Sequence, residues 1–168
     1  MNKPGLHLTR FFVLMVTQVA LLNQVQFSGY INPYLYILFI LLLPPRLNKF
    51  YLLLIGFGTG LLIDVFMGSY GLHAAATTLV AYLRPWAIRL YATRGEDEWE
   101  YLGLSTMGTA KFLSYTVLLV FAHHFLLFFL EAFRLSEFFT VLARTLLSTV
   151  FTVALIFLVL LIFNRRSE

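Results

Sequence analysis

The stretch YLLLIGFGTGLLIDVFM (51–67), closed by GSYG (68–71), decides what kind of protein this is. Its one charged residue is Asp64, and an apolar run of this length reads as a transmembrane helix. Gly56, Gly60, Asp64 and Gly68 recur every four residues, which puts them on one helix face. Glycines at that spacing let a second backbone approach closely. Asp64 would then be carried into a helix–helix interface, and an intramembrane carboxylate is a functional-site candidate by default. The plainer alternative is a carboxylate that caps or pairs near the outer end of its helix. Gly56-x-Gly58-x-Gly60 is not a phosphate loop, because no strand precedes it and no Gly-Lys-Ser/Thr follows.

The whole chain agrees with that stretch. Of 168 residues, 60% are hydrophobic and only 12% charged, against roughly 45–50% and 25% in soluble domains. Phe alone occurs 18 times. A single soluble core of this size cannot hide so much apolar surface. Soluble enzymes, nucleic-acid-binding modules and disordered chains are disfavoured at this step. The net charge of +4 suits basic residues beside an anionic inner leaflet and calls for no nucleic acid. Cysteine is absent, so disulfides and cysteine metal sites are excluded.

Six apolar runs divide the chain, at about 11–27, 34–44, 51–67, 72–91, 104–130 and 138–163. We expect one all-α integral membrane domain over 1–168, with six transmembrane helices. The first run lacks a small-x-small cleavage site and reads as a retained span. The second is short and stops at Pro44-Pro45, so a re-entrant segment is its alternative. Six crossings from a cytoplasmic N-terminus put Lys3, Arg10, Arg46, Lys49, Arg84, Arg89, Arg94, Arg165 and Arg166 inside and Arg134 outside. That asymmetry favours both termini in the cytoplasm.

Few residues are equipped for chemistry. Arg144 lies in the sixth run at a depth similar to Asp64, so the two are expected to form a buried ion pair that offsets the cost of each charge. Glu131 and Glu137 are competing partners for Arg144, and the turn before His73 is a competing partner for Asp64. Gly71 and His73 mark the outer turn. His123 and Glu131 sit two helical turns apart, but a metal site needs a third ligand, so packing or hydrogen-bonding roles are expected for the histidines. Arg84-Pro85-Trp86 reads as an interfacial element at headgroup depth. Glu96, Asp97, Glu98 and Glu100 form one acidic cluster, either a solvated loop or a docking point for a cytoplasmic partner. No nucleophile–base pair, metal motif or cofactor motif is apparent, so no enzyme activity is expected.

The stretch Gly56–Ala74, continued by Ala81-Tyr82-Leu83-Arg84-Pro85, resembles the bacterial rod shape-determining family MreD. It is similar to that family's Gly-rich, Leu-Leu-x-Asp, Gly-x-x-Gly-x-His/Arg signature. His123-His124 and Leu130-Glu131-x-Phe133 resemble its Bacteroidota branch. The short second run departs from the family's longer segment. The resemblance implies a non-enzymatic scaffold in the bacterial inner membrane. Such a scaffold binds membrane-anchored MreC and works with MreB, RodA and its transpeptidase in sidewall peptidoglycan synthesis. It also implies a six-helix fold similar to the substrate-binding subunits of energy-coupling-factor transporters. A small-molecule-binding subunit of that kind is therefore the alternative function.

Overall fold

The structure, a computed structural model, describes residues 4–24, 31–92 and 101–164, and its regular elements are all helical. In chain order these are α1 (Pro4–Ala20), α2 (Ile37–Leu41), α3 (Lys49–Met67), α4 (Leu72–Tyr91), α5 (Leu104–Met107), α6 (Thr109–Ala132) and α7 (Phe138–Asn164). Among the described residues, three segments are long and apolar enough to cross a membrane: Lys49–Met67, Thr109–Ala132 and Leu135–Ile162. The chain thus has the make-up of an all-α membrane-embedded protein.

Local chemistry sets most of the helix ends. The Asn48 side chain accepts the Phe50 N–H at 2.9 Å and starts α3, a favourable N-cap. Gly68 ends it in the left-handed region, at φ 65°, where a side chain would be strained. Gly71, at φ 92°, opens α4. Gly108, at φ 74°, separates the four-residue α5 from α6, so the run at 104–130 is two helices and not one. The first helix also departs from the apolar run at 11–27. It starts at Pro4, whose missing N–H costs nothing in a first turn, and the polar Asn23 falls in a 3-10 turn beyond it.

Helices α3, α4, α6 and α7 pack in that sequence, each against the next, while α1 lies against α2 and α3. The segment 34–43 runs through the middle. All ten of its side chains are buried, yet only five residues are α-helical. Prolines 33, 44 and 45 bound it. Proline cannot donate to a helix and pushes its preceding residue toward extended backbone, so regular helix here is confined to the short stretch between the prolines.

Several N–H groups from Ile37 to Leu43 bond to carbonyls three or four residues back, and the backbone groups left over need partners from elsewhere in the protein. Here four helices lend side chains. Gln18 of α1 accepts the Tyr36 N–H at 3.3 Å and donates to the Pro33 carbonyl at 3.0 Å. Ser148 and Thr152 of α7 accept the Asn32 and Tyr34 N–H groups, each at 3.2 Å. Tyr115 of α6 donates to the Leu41 carbonyl at 3.1 Å. Arg84 of α4 donates to the carbonyls of Leu43 and Pro44. The Tyr34 ring lies 5.0 Å from that of His73, and Arg84 is eleven residues further along α4. The segment therefore traverses ~16 Å of that helix at the usual rise per residue.

Candidate functional site

The glycine stripe is built as a packing face, and its partner is α4 of the same chain. A Cβ added at Gly60 would lie 2.4 Å from the His73 carbonyl oxygen and 2.6 Å from the Ala74 Cα. One added at Gly56 would lie 2.8 Å from the Ala81 Cβ. At these two positions backbone meets backbone, which only glycine permits. Gly68 does not belong to that face: a Cβ there meets nothing within 4 Å, and its role is the left-handed end of α3. The intramolecular contact leaves Gly56 and Gly60 unavailable to a partner chain.

Asp64 is 4% exposed and spends both oxygens on the start of α4. Its Oδ1 accepts the His73 N–H at 3.0 Å and the Ser69 hydroxyl at 2.6 Å; its Oδ2 accepts the Ala74 N–H at 2.8 Å. These amides belong to the first turn of a helix, which has no internal carbonyl partners and carries partial positive charge. Asp64 is thus an N-terminal clasp reaching across from the preceding helix. Ser69 gives its proton to Asp64, so its oxygen accepts from His73 Nδ1 at 2.9 Å. His73 Nδ1 also faces Asp64 Oδ1 at 3.2 Å. That arrangement leaves His73 Nε2 as a buried acceptor without a partner among the described residues.

The expected Asp64–Arg144 pair is not formed; each group is held elsewhere. Arg144 Nη1 donates to Glu131 Oε2 at 2.8 Å, and its guanidinium lies over the Phe128 ring at 4.1 Å. The physical reason is proximity along the fold: α6 and α7 are packed neighbours, while Asp64 is already saturated by backbone amides two residues into the next helix. Arg134 and Glu137 approach at 3.8 Å on the exposed surface.

Arg84, expected as part of an interfacial element, is fully buried within the protein, while Trp86, two positions on, is 55% exposed. Arg84 directs its terminal nitrogens at the carbonyls of Leu43 and Pro44, in the turn that follows α2. The signal was present but ambiguous, because a lone Arg beside Pro and Trp fits either a headgroup or a buried carbonyl cluster.

The histidines have separate hydrogen-bonding tasks. His123 Nε2 bonds the Tyr36 hydroxyl at 2.7 Å, and that hydroxyl lies 3.0 Å from Thr77 Oγ1. His124 Nδ1 lies 2.8 Å from the Val120 carbonyl, and Nε2 lies 3.3 Å from the Asn32 carbonyl and 3.4 Å from the Thr152 hydroxyl. His123 and Glu131 are not brought together. Among the described residues, no group of three or more His, Asp or Glu side chains is placed to hold a metal. Glu96, Asp97, Glu98 and Glu100 lie outside the described residues.

Above these layers, at the end of the bundle that carries the α3–α4 turn, is a cleft of about 440 Å³. Its wall includes Asn32, Tyr34, Ser69, His73, Glu131 and Arg144. It presents an ion pair, amide and hydroxyl groups and an aromatic ring, a set able to receive a small polar group by hydrogen bonding. No family model, curated protein or solved structure matches the chain.

Proposed function

We propose that this chain is a six-span, inner-membrane scaffold of the MreD kind, with both termini cytoplasmic and no enzymatic activity. It binds the membrane-anchored MreC and helps direct sidewall peptidoglycan synthesis with MreB, RodA and its transpeptidase. The observation that carries the reading is the outward face of α3. Leu54, Phe57, Leu61 and Val65 form an exposed apolar stripe, spaced for a single helix face. Gly58 lies in that stripe, with open space where a side chain would be. Opposite it, Gly56, Gly60 and Asp64 lock α3 to α4, so the stripe is presented on a rigid hairpin. A transmembrane helix can pack laterally on such a surface through close contact at the glycine.

One observation favours the alternative, a small-molecule-binding subunit of an energy-coupling-factor transporter. The cleft at the α3–α4 turn is roomy and polar, and the unwound segment below it resembles the discontinuous helices that mark transporter sites.

The test is purification of the full chain from native membranes. Co-purification of an MreC-type membrane partner, lost in Gly58→Leu, supports the scaffold. A tightly bound small molecule without that partner supports the transporter subunit. Reporter fusions at Lys49, Glu98 and Glu168 should all read cytoplasm. A signal from outside at Lys49 would make 34–44 a re-entrant segment.

A further inference from the structure

At the end of the α3–α4 hairpin opposite its turn, a second cleft of about 500 Å³ opens between the two helices. Lys49, the first residue of α3, stands on one side, and Arg89, in the last turn of α4, stands on the other. Tyr82 and Trp86 lie on the same face of α4 as Arg89, at helical spacing, and both are exposed. Leu53, Leu83 and Pro85 supply an apolar floor.

The charge balance sets this cleft apart. Among the described residues, no acidic side chain lines it, and neither Lys49 nor Arg89 has an ion-pair or hydrogen-bond partner. Two other arginines of the bundle are occupied: Arg84 by carbonyls and Arg144 by Glu131. The first turn of α3 also contains no acidic residue, so its partial positive charge adds to that of Lys49. Two unpaired cations, two aromatic rings suited to headgroup depth and an apolar floor continuous with the helix flanks select one chemistry. It is a phosphate joined to acyl chains.

We propose that this cleft is a seat for an anionic phospholipid. The phosphate bridges the Lys49 ammonium and the Arg89 guanidinium. Trp86 and Tyr82 flank the glycerol region, and the acyl chains run along Leu53 and the exposed flank of α3. Basic pockets between membrane helices bind anionic headgroups in this way. Occupancy places one negative charge between two like charges and so offsets their repulsion at the open end of the hairpin, where Gly56 and Gly60 have already brought the helices into close contact.

The test uses Trp86 as its own reporter. The chain has two tryptophans, so Trp99→Phe leaves Trp86 as the only one. That full-length protein is reconstituted in phosphatidylcholine vesicles containing a minority of brominated phosphatidylglycerol or, separately, brominated phosphatidylcholine. Both leaflets carry the probe, so the result is independent of orientation and of the scaffold reading. Brominated phosphatidylglycerol should quench Trp86 as if enriched severalfold over its bulk share. Lys49→Gln and Arg89→Gln should each reduce that preference by about fivefold or abolish it. The charge-keeping Lys49→Arg and Arg89→Lys should retain it, as should Arg46→Gln in the neighbouring exposed turn. Equal quenching by the two lipids would overturn the proposal. So would a preference that survives the Lys49→Gln, Arg89→Gln double substitution, or one lost equally in Arg46→Gln. A variant's melting temperature in detergent, compared with its charge-keeping counterpart, separates loss of the seat from loss of fold.

Discussion

Asp64 and Arg84 lie on consecutive helices and meet the same difficulty with opposite signs. Each is a charge with almost no access to solvent, in a chain built to sit in lipid. Neither is neutralised by an opposite formal charge. Asp64 takes the amides that open α4, and Arg84 takes the Leu43 and Pro44 carbonyls in the turn after α2. Helix ends offer bare donors at one terminus and bare acceptors at the other, and in hydrocarbon those groups must be paired by something. Asp64 thus covers a helix end, and Arg84 covers the carbonyls of a buried turn. Arg144 makes the contrast sharper: it is 23% exposed, faces water-accessible Glu131 and forms a conventional ion pair.

The comparison predicts a graded set of losses, read as thermal stability of the purified protein in detergent. Arg84→Ala should cost the most, about 3–5 kcal/mol, because it opens a cavity and removes the guanidinium bond to the buried Leu43 carbonyl. Arg84→Lys should recover only part, since an ammonium cannot span two acceptors as a guanidinium does. An Arg84→Ala loss smaller than that of Asp64→Ala would break the equivalence of the two clasps in favour of the turn end.

Asp64→Ala should cost about 2–3 kcal/mol, from loss of a buried cap and its charge-assisted hydrogen bonds. Asp64→Asn keeps one acceptor oxygen and should lose less. Equal losses for the two substitutions would mean that both carboxylate oxygens are needed.

Gly60→Leu tests the contact that brings Asp64 within reach of α4. Overpacking against the His73 carbonyl should cost about 1–3 kcal/mol. Gly58→Leu, which meets open space, should leave stability unchanged while disturbing a lateral partner. Wild-type stability in Gly60→Leu would mean that the helices separate without penalty.

The smallest effect belongs to Arg144. Its partner is 47% exposed, so solvent screening reduces the worth of the pair, and Arg144→Ala should cost about 0.2–1 kcal/mol. Glu131→Ala and Arg144→Ala should be non-additive, as contacting groups are. Asp64→Ala and Arg144→Ala should add within about 0.5 kcal/mol, as groups without shared partners do. Coupling between Asp64 and Arg144 instead of between Glu131 and Arg144 would restore the ion pair expected from their matching depths.

The residues differ in how legible they were. Gly56, Gly60 and Asp64 share a helix face by spacing alone, so a close helical contact at that stripe followed from the periodicity. Gly68 has the same spacing but serves as a helix end, because a turn interrupts the periodicity there. The alternatives weighed for Asp64 and Arg144, a turn before His73 and a bond to Glu131, are the arrangements adopted. Depth in the membrane ranks partners poorly when backbone amides compete with side chains.

Composition and apolar run length by themselves determined that the chain is helical and made for a membrane. Those are sums over the sequence, and hydrophobic transfer depends on them almost additively. The prolines at 33, 44 and 45 likewise marked the segment between them as short, with a re-entrant course as the alternative to a crossing. Only the tertiary structure decided what fills its unpaired backbone: Gln18, Ser148, Thr152, Tyr115 and Arg84 arrive from four different helices. Hydrogen bonds are directional and short in reach, so their pairing depends on where separate helices meet, which no local pattern encodes.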